Sequence, residues 1–342
     1  MKVFVHFHPN DELDNFEGAR LRKTIKGALE MLKIPHTDIL MDDFDVAHFI
    51  YVEDENVIQE LKERQIPIVV SALYCENDPS AFYIDYKNKD GERTYSIKPK
   101  ALKFLENADL ILVPNKNSKE FLIEAGLKTR IEICETGVNF ARFDFSRDDE
   151  KELFYRYFNC DRDKKIVLSI GDCSSDVDGF GALEKASRIC PDANFYFITK
   201  SEKNNKLSFK IKRRLKKLPR NVTVVGVMPD DIYRSALLNA DVCFYPGYKP
   251  NGMISTYEAM AAKCQLIVRH QPLMEEVTID QQTAYVASYS ETLAGILKDY
   301  FDGKIKPTIS AAYKMVSKND IKTFGNKINS YYQELLNKNR SK

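Results

Sequence analysis

The chain has 342 residues, enough for about two domains at roughly 150 residues each, and its 44% hydrophobic content lets each bury a core. Its 51 basic and 50 acidic residues give a formal net charge of +1, which argues against an acidic tail and a globally basic nucleic-acid binder. The seven cysteines are odd in number with none in C-x-x-C spacing, so they read as reduced thiols, and neither a signal peptide nor an apolar run of ~18 residues is present; the expectation is a cytoplasmic protein that meets a membrane only at its surface.

In chain order, Val3 to His8 reads as a short strand, and Gly18 to Leu32 as a helix through Leu21, Ile25, Leu29 and Leu32. Val46 to Val52, Ile66 to Leu73 and Leu110 to Val113 are apolar runs of the buried-strand type. Between the last two lies a polar stretch, Glu76 to Thr94, with turn signals at Asp78-Pro79 and Asp90-Gly91. Asn117-Ser118-Lys119-Glu120 reads as a capping box, and Gly126 as the helix stop. Arg130 to Cys134 is the next strand. A charged segment, Asp144 to Lys165, marks the domain boundary, giving units 1–150 and 151–342.

The alternation then restarts. Strands are expected at Ile166 to Ile170, Phe195 to Thr199, Val222 to Val225, Val242 to Tyr245 and Leu266 to Val268. Helices are expected near 179–190, 206–217, 230–239 and 254–262, with a last helix at 320–338. Two blocks of alternating strands and helices predict two doubly wound α/β domains whose ligands bind beyond the carboxyl ends of the strands.

Tyr245-Pro246-Gly247-Tyr248 followed by Tyr257-Glu258-Ala259-Met260-Ala261-Ala262-Lys263 resembles the donor-site element of family 4 glycosyltransferases. Ala108 to Pro114, Thr136-Gly137-Val138-Asn139, Asn221 to Gly226 and Ala240-Asp241-Val242 fall in the family's order. Within the family the chain is most similar to bacterial diacylglycerol glycolipid synthases. The resemblance implies the GT-B fold: two facing Rossmann-like domains, with a C-terminal helix returning to the first. It implies a retaining hexosyltransferase that needs no metal and no cofactor. The substrates would be a nucleotide-sugar, UDP-linked, and a membrane glycolipid or other glycan acceptor. Glu258 would hold the ribose, in a donor site shared with Gly171, Gly252, Met253 and Ile254.

Four positions depart from the family pattern. Its Arg and Lys for the diphosphate give way to Gly171-Asp172-Cys173-Ser174-Ser175-Asp176-Val177-Asp178, which has no cation; Arg269, Lys200 or Lys203 are the stand-ins. The carboxylate expected eight residues before Glu258 is Pro250, and the family's first-domain His gives way to Ser71-Ala72-Leu73-Tyr74. The glycine-rich first loop becomes Asn15-Phe16-Glu17-Gly18-Ala19-Arg20. These departures carry a second reading, a catalytically degenerate GT-B subunit that stabilises a partner glycosyltransferase, and no catalytic residue is assigned.

Lys206 to Arg220 carries eight cations and no acid around an apolar face of Leu207, Ile211, Leu215 and Leu218. Lys210, Lys212, Arg213, Lys216 and Lys217 are the candidates for contact with an anionic membrane, at the inner face of the cell membrane. Without interleaved aromatics the segment does not read as a nucleic-acid site. His6 and His8 point to one face of their strand, but no third ligand stands near them, so no metal is expected. The absence of G-x-G-x-x-G, Walker A and G-x-S-x-G motifs argues against NAD enzymes, P-loop NTPases and α/β-hydrolases.

Overall fold

A computed structural model describes the chain except residues 9–15, 77–80, 82, 90–91, 144–147, 175, 200–207, 250–251 and 341–342. The first block begins with β1 (Val3–Val5), α1 (Glu17–Met31), β2 (His36–Thr37), β3 (Val46–Phe49), α2 (Glu55–Glu63) and β4 (Ile68–Ser71). It continues with a hairpin of β5 (Ile84–Lys89) and β6 (Glu92–Ile97), then α3 (Pro99–Glu106), β7 (Leu110–Val113), α4 (Lys116–Glu124) and β8 (Ile131–Ile133). Six of these strands form a parallel sheet in the order β2-β1-β3-β4-β7-β8. Every residue of β1, β3, β4 and β7 is buried, which is why they read as largely apolar runs, with His48 and Ser71 the polar exceptions.

The second block comprises α5 (Asp148–Phe158), β9 (Ile166–Gly171), α6 (Phe180–Ile189), β10 (Asn194–Thr199), α7 (Phe209–Leu215), β11 (Val222–Val225), α8 (Asp230–Asn239) and β12 (Val242–Tyr245). It ends with α9 (Met253–Ala261), β13 (Gln265–Arg269), β14 (Tyr285–Ala287), α10 (Ser290–Phe301), α11 (Ile309–Val316) and α12 (Ile321–Arg340). Its parallel sheet has the order β11-β10-β9-β12-β13-β14. The winding reverses between β9 and β12, so the loops leaving these two strands part and leave a crevice at their carboxyl ends.

The expected GT-B architecture is borne out. The C-terminal helix α12 returns to the first sheet, burying Phe324, Ile328, Tyr332 and Leu335. Gly325 brings α12 against Ala28 of α1, and the Tyr332 hydroxyl meets His48 of β3. One apolar cluster runs from Val3 and Leu21 through Ile328 and Tyr257 to Leu168, so the facing blocks share a core.

Several local expectations are corrected. The polar stretch Glu76 to Thr94 contains most of the antiparallel hairpin, pairing Ile84 with Ile97; its Asp90-Gly91 turn lies outside the described residues. The cap of α4 is Asn115, whose side chain accepts the Ser118 N–H at 2.8 Å, two residues earlier than the box predicted from Asn117. Two short edge strands, β2 and β14, and the helices α10 and α11 were not legible.

Candidate active site

The sequence builds α9 with an open N-terminus. Strand β12 is fully buried and delivers the chain through Pro246 and Gly247 to Gly252, the N-cap, which has no side chain to satisfy the first helical N–H groups. Those groups find partners in the opposite domain. The Met253 N–H donates to the Tyr74 carbonyl at 3.0 Å. The Ser255 N–H donates to one Glu17 carboxylate oxygen at 3.2 Å, and the Ser255 hydroxyl donates to the other. A Cβ on Gly252 would overlap the Glu17 carboxylate, so only glycine permits this approach. Leu73, a non-glycine residue in the left-handed region that favours glycine, has φ 64° where the chain turns from β4 toward Tyr74.

Glu258 lies in the second turn of α9 and is buried. Its carboxylate accepts from Arg20 at 2.5 Å and from the Tyr233 hydroxyl at 3.3 Å, and Arg142 stands 3.9 Å away. Arg20, 1% exposed, also donates to Glu17 at 2.8 Å, to the Ser255 hydroxyl at 2.6 Å and to the Tyr233 hydroxyl. Its guanidinium lies 4.7 Å from the centre of the Tyr233 ring. Burial pushes the Glu258 carboxyl above its usual range, against the pull of Arg20 and then Arg142. Arg142 in turn holds both Asp230 oxygens at 2.7 Å, in the first turn of α8. Thus α1 of the first domain reaches into the first turns of α9 with a carboxylate and a guanidinium.

The loop after β9 folds back on the loop after β12. Gly179, at φ 84°, packs so closely that a Cβ would lie 2.5 Å from the Pro246 carbonyl carbon. The Asp178 carboxylate accepts the Asp172 N–H at 2.7 Å and faces the Lys249 ammonium at 3.6 Å. Asp176 pairs with Arg214 of α7 at 2.8 Å, and Arg214 also meets Glu184 at 3.1 Å. Sequence reasoning found no cation for this loop; the fold supplies Lys249 and Arg214 from other segments. Gly171 ends β9, where its bare Cα lets Asp178 pack.

Arg269, the last residue of β13, packs under the loop after β12 and is buried. It donates to the Pro246 carbonyl at 2.6 Å, the Ser290 hydroxyl at 2.7 Å and the Ser288 carbonyl, with its guanidinium 3.9 Å from the Tyr248 ring centre. The candidate stand-in is therefore engaged with the loop's own backbone. Lys200 and Lys203 lie outside the described residues, as does Pro250. Met253 and Ile254 are buried in the first turn of α9. A cavity of about 430 Å³ opens beside Arg269, Tyr248, Arg214 and Lys185.

The hairpin closes the mouth of the cleft. The Tyr95 hydroxyl donates to the Tyr248 carbonyl at 3.3 Å, and the Tyr86 ring stacks on Tyr248 with centroids 6.4 Å apart. The other singled-out residues lie apart from the cleft chemistry. His48 stands beside Ser71, the position of the family's missing His, but it is fully buried between the Ser71 hydroxyl at 2.7 Å and Tyr332. Burial pushes its pKa down to about 3. His6 packs among Phe4, Phe49 and Tyr51 and meets Glu53 at 3.0 Å. His270 pairs with Glu275 at 2.8 Å on the rim. Helix α7 and the turn after it present Lys210, Lys212, Arg213, Lys216 and Lys217 to solvent together with Phe209, which is 82% exposed; the helix is capped by Ser208, whose side chain accepts the Ile211 N–H, and residues 206–207 of the expected helix lie outside the described residues.

Two facing parallel sheets, with a helix N-terminus and a buried Glu in the crevice between them, define a protein of the GT-B fold. No family model matches the chain. It is 22% identical over 342 residues, 98% of this chain and 99% of the relative, to the processive diacylglycerol alpha-glucosyltransferase of Acholeplasma laidlawii. Among solved structures it is similar to Anabaena Alr3699/HepE in complex with UDP and glucose (TM-score 0.71, 12% identity, 98% of this chain and 100% of that one). It is also similar to the sucrose-phosphate synthase of Thermosynechococcus elongatus (TM-score 0.68, 17% identity, 96% and 80%). The resemblance to GT-B glycosyltransferases read from the sequence is thus supported across nearly the whole chain.

Proposed function

We propose that this chain is a retaining hexosyltransferase of family 4 type, taking its sugar from a UDP-linked donor and passing it to a glycolipid at an anionic membrane surface. The observation that carries the reading is the place of Glu258 and the α9 N-terminus at the carboxyl ends of the β9–β12 switch point, facing the first domain. N–H groups at that terminus suit a phosphate, and a carboxylate in the next turn suits hydroxyls. The similarity to a diacylglycerol glucosyltransferase supports the lipid acceptor. The exposed basic face of α7, with Phe209 beside it, supports membrane contact, each Lys or Arg near an anionic surface contributing about 1 kcal/mol.

A second reading rests on one specific observation: Arg20 and Glu17 already occupy Glu258 and the α9 N-terminus. In that reading the chain is a degenerate subunit of a partner glycosyltransferase. Incubation with UDP-[14C]glucose or UDP-[14C]galactose and monoglucosyl-diacylglycerol in anionic mixed micelles separates the two. The enzyme reading expects a labelled diglycosyl lipid with retained configuration, lost in Glu258→Gln. Absence of transfer from every UDP-hexose, in a protein that also fails to bind UDP, leaves the subunit reading.

A further inference from the structure

The α9 N-terminus is occupied by the protein itself. We propose that Glu17 is a built-in competitor of the donor's phosphates, holding the cleft shut until a nucleoside diphosphate displaces it and inherits Arg20 as its cation. This rests on the donor reading above.

Three observations converge. The Glu17 carboxylate makes the bonds a phosphate oxygen pair would make there, one oxygen accepting from the Ser255 N–H and the other from the Ser255 hydroxyl. It is completely buried, so water does not share the terminus. Its approach requires the bare Cα of Gly252, and the neighbouring Gly18 packs so tightly against the Tyr51 hydroxyl that a Cβ would overlap it. Both sides of the contact are therefore shaped for one another.

The chemistry makes the two ligands exclusive. A diphosphate and a carboxylate cannot share one helix terminus, because like charges at that distance in a dry site repel strongly. A donor that binds here must expel Glu17. Arg20 need not leave. Its guanidinium is 2.6 Å from the Ser255 hydroxyl and 2.5 Å from Glu258, so it stays between the terminus and the ribose-side carboxylate when Glu17 moves. That supplies from α1 the charge missing from the loop after β9.

The test compares wild type with Glu17→Gln and Glu17→Ala. Glu17→Gln keeps the side-chain shape and leaves Arg20 paired with Glu258, so it folds; circular dichroism checks this, and Ser255→Ala is a second variant if either fails. Calorimetric titration with UDP and with uridine reads the competition. Removing the carboxylate strengthens UDP binding about tenfold or more, the order of one charge-assisted hydrogen bond lost from the closed state, and leaves uridine binding unchanged. Equal gains for uridine and UDP, or no gain for UDP in a protein that binds it, overturn the proposal.

Hydrogen exchange without ligand reads the closure independently of any donor. The Ser255 amide, bonded to the Glu17 carboxylate, exchanges at least tenfold faster in Glu17→Ala, while the Met253 amide, bonded to the Tyr74 carbonyl, is the internal reference; unchanged Ser255 exchange overturns the proposal. Faster exchange with no UDP binding in any variant keeps the Glu17 closure, refutes its displacement by a diphosphate, and sinks the donor reading as well.

Discussion

Replacing Arg20 by Met is the most informative single perturbation of the cleft. In the folded protein this guanidinium is 1% exposed and is bonded to Glu17, Glu258, Ser255 and Tyr233. The substitution removes the cation and leaves two carboxylates in one dry site. Breaking a buried ion pair from one side costs about 3–5 kcal/mol, because the remaining charge is buried unpaired. A more exposed pair from the same helix, Arg22 of α1 with Asp38 just after β2, is the control, expected to contribute at most about 1 kcal/mol. Urea unfolding of Arg20→Met and Arg22→Met therefore should differ by roughly 2–5 kcal/mol.

The loss should also depend on pH in a definite direction. Burial already holds the Glu258 carboxyl above its unfolded value, and Arg20 is the strongest charge opposing that shift. Without Arg20 the folded state binds the proton more tightly still. A group with a raised folded pKa stabilises fully below its unfolded pKa, and that stability is lost as pH rises through the folded value. Arg20→Met is thus closest to wild type near pH 4 and furthest from it at pH 8. Adding Glu17→Gln and Glu258→Gln, which removes the stranded charges, restores most of the loss. A variant within 1 kcal/mol of wild type at pH 8, or one whose deficit grows on acidification, refutes the reasoning.

The other predictions concern separate parts of the fold. His48 is held neutral by burial with its pKa near 3, so the unfolded state takes up the proton first as pH falls below 6.5; stability drops by about 1.4 kcal/mol per pH unit down to about pH 3, and His48→Gln flattens that slope in urea midpoints. Gly179→Ala meets both a left-handed φ and the Pro246 backbone, and should cost about 1–3 kcal/mol in thermal unfolding while displacing the Tyr248 loop; a change within 0.5 kcal/mol refutes the close packing. Sedimentation with anionic vesicles should fall steeply with salt, surface charges being screened within ~10 Å at about 0.1 M, and should vanish when Lys212, Arg213, Lys216 and Lys217 become Ser. Unchanged sedimentation of that variant removes α7 from the interface.

What the sequence disclosed follows from burial. Strands covered on both faces, such as Leu110–Val113 and Val242–Tyr245, are unbroken apolar runs and were legible. The hairpin was not, because Tyr86 and Tyr95 are half-buried among polar neighbours and its partner across the cleft is Tyr248, 153 residues from Tyr95. Two-residue β2 and three-residue β14 are too short to show a period. Glu258 was found through its local motif, whereas its partner Arg20 lies 238 residues away and no spacing announces it. The one trace was a departure: Glu17 and Arg20 open α1 where the resemblance led to a glycine-rich loop.

That trace explains why acidic residues can replace the expected cations after β9. Asp178 has Lys249, Asp176 has Arg214, and Glu17 has the α9 terminus, so each carboxylate meets a positive partner supplied by another segment. The substitutions form one rearrangement rather than separate losses, and restoring a single family residue should therefore fail. Asp178→Lys places an ammonium where the Asp172 N–H and the Lys249 ammonium both need an acceptor. At 6% exposure the stranded charge is buried, and breaking such a site costs about 3–5 kcal/mol. Exchanging the pair, Asp178→Lys with Lys249→Asp, returns an acceptor to the site and should recover part of the loss, leaving the Asp172 N–H contact as the deficit. Thermal unfolding of the two variants, with UDP titration alongside, decides the matter. If Asp178→Lys is as stable as wild type and gains UDP affinity, the loop is an ordinary donor site with one charge reversed, and the self-neutralised cleft is wrong.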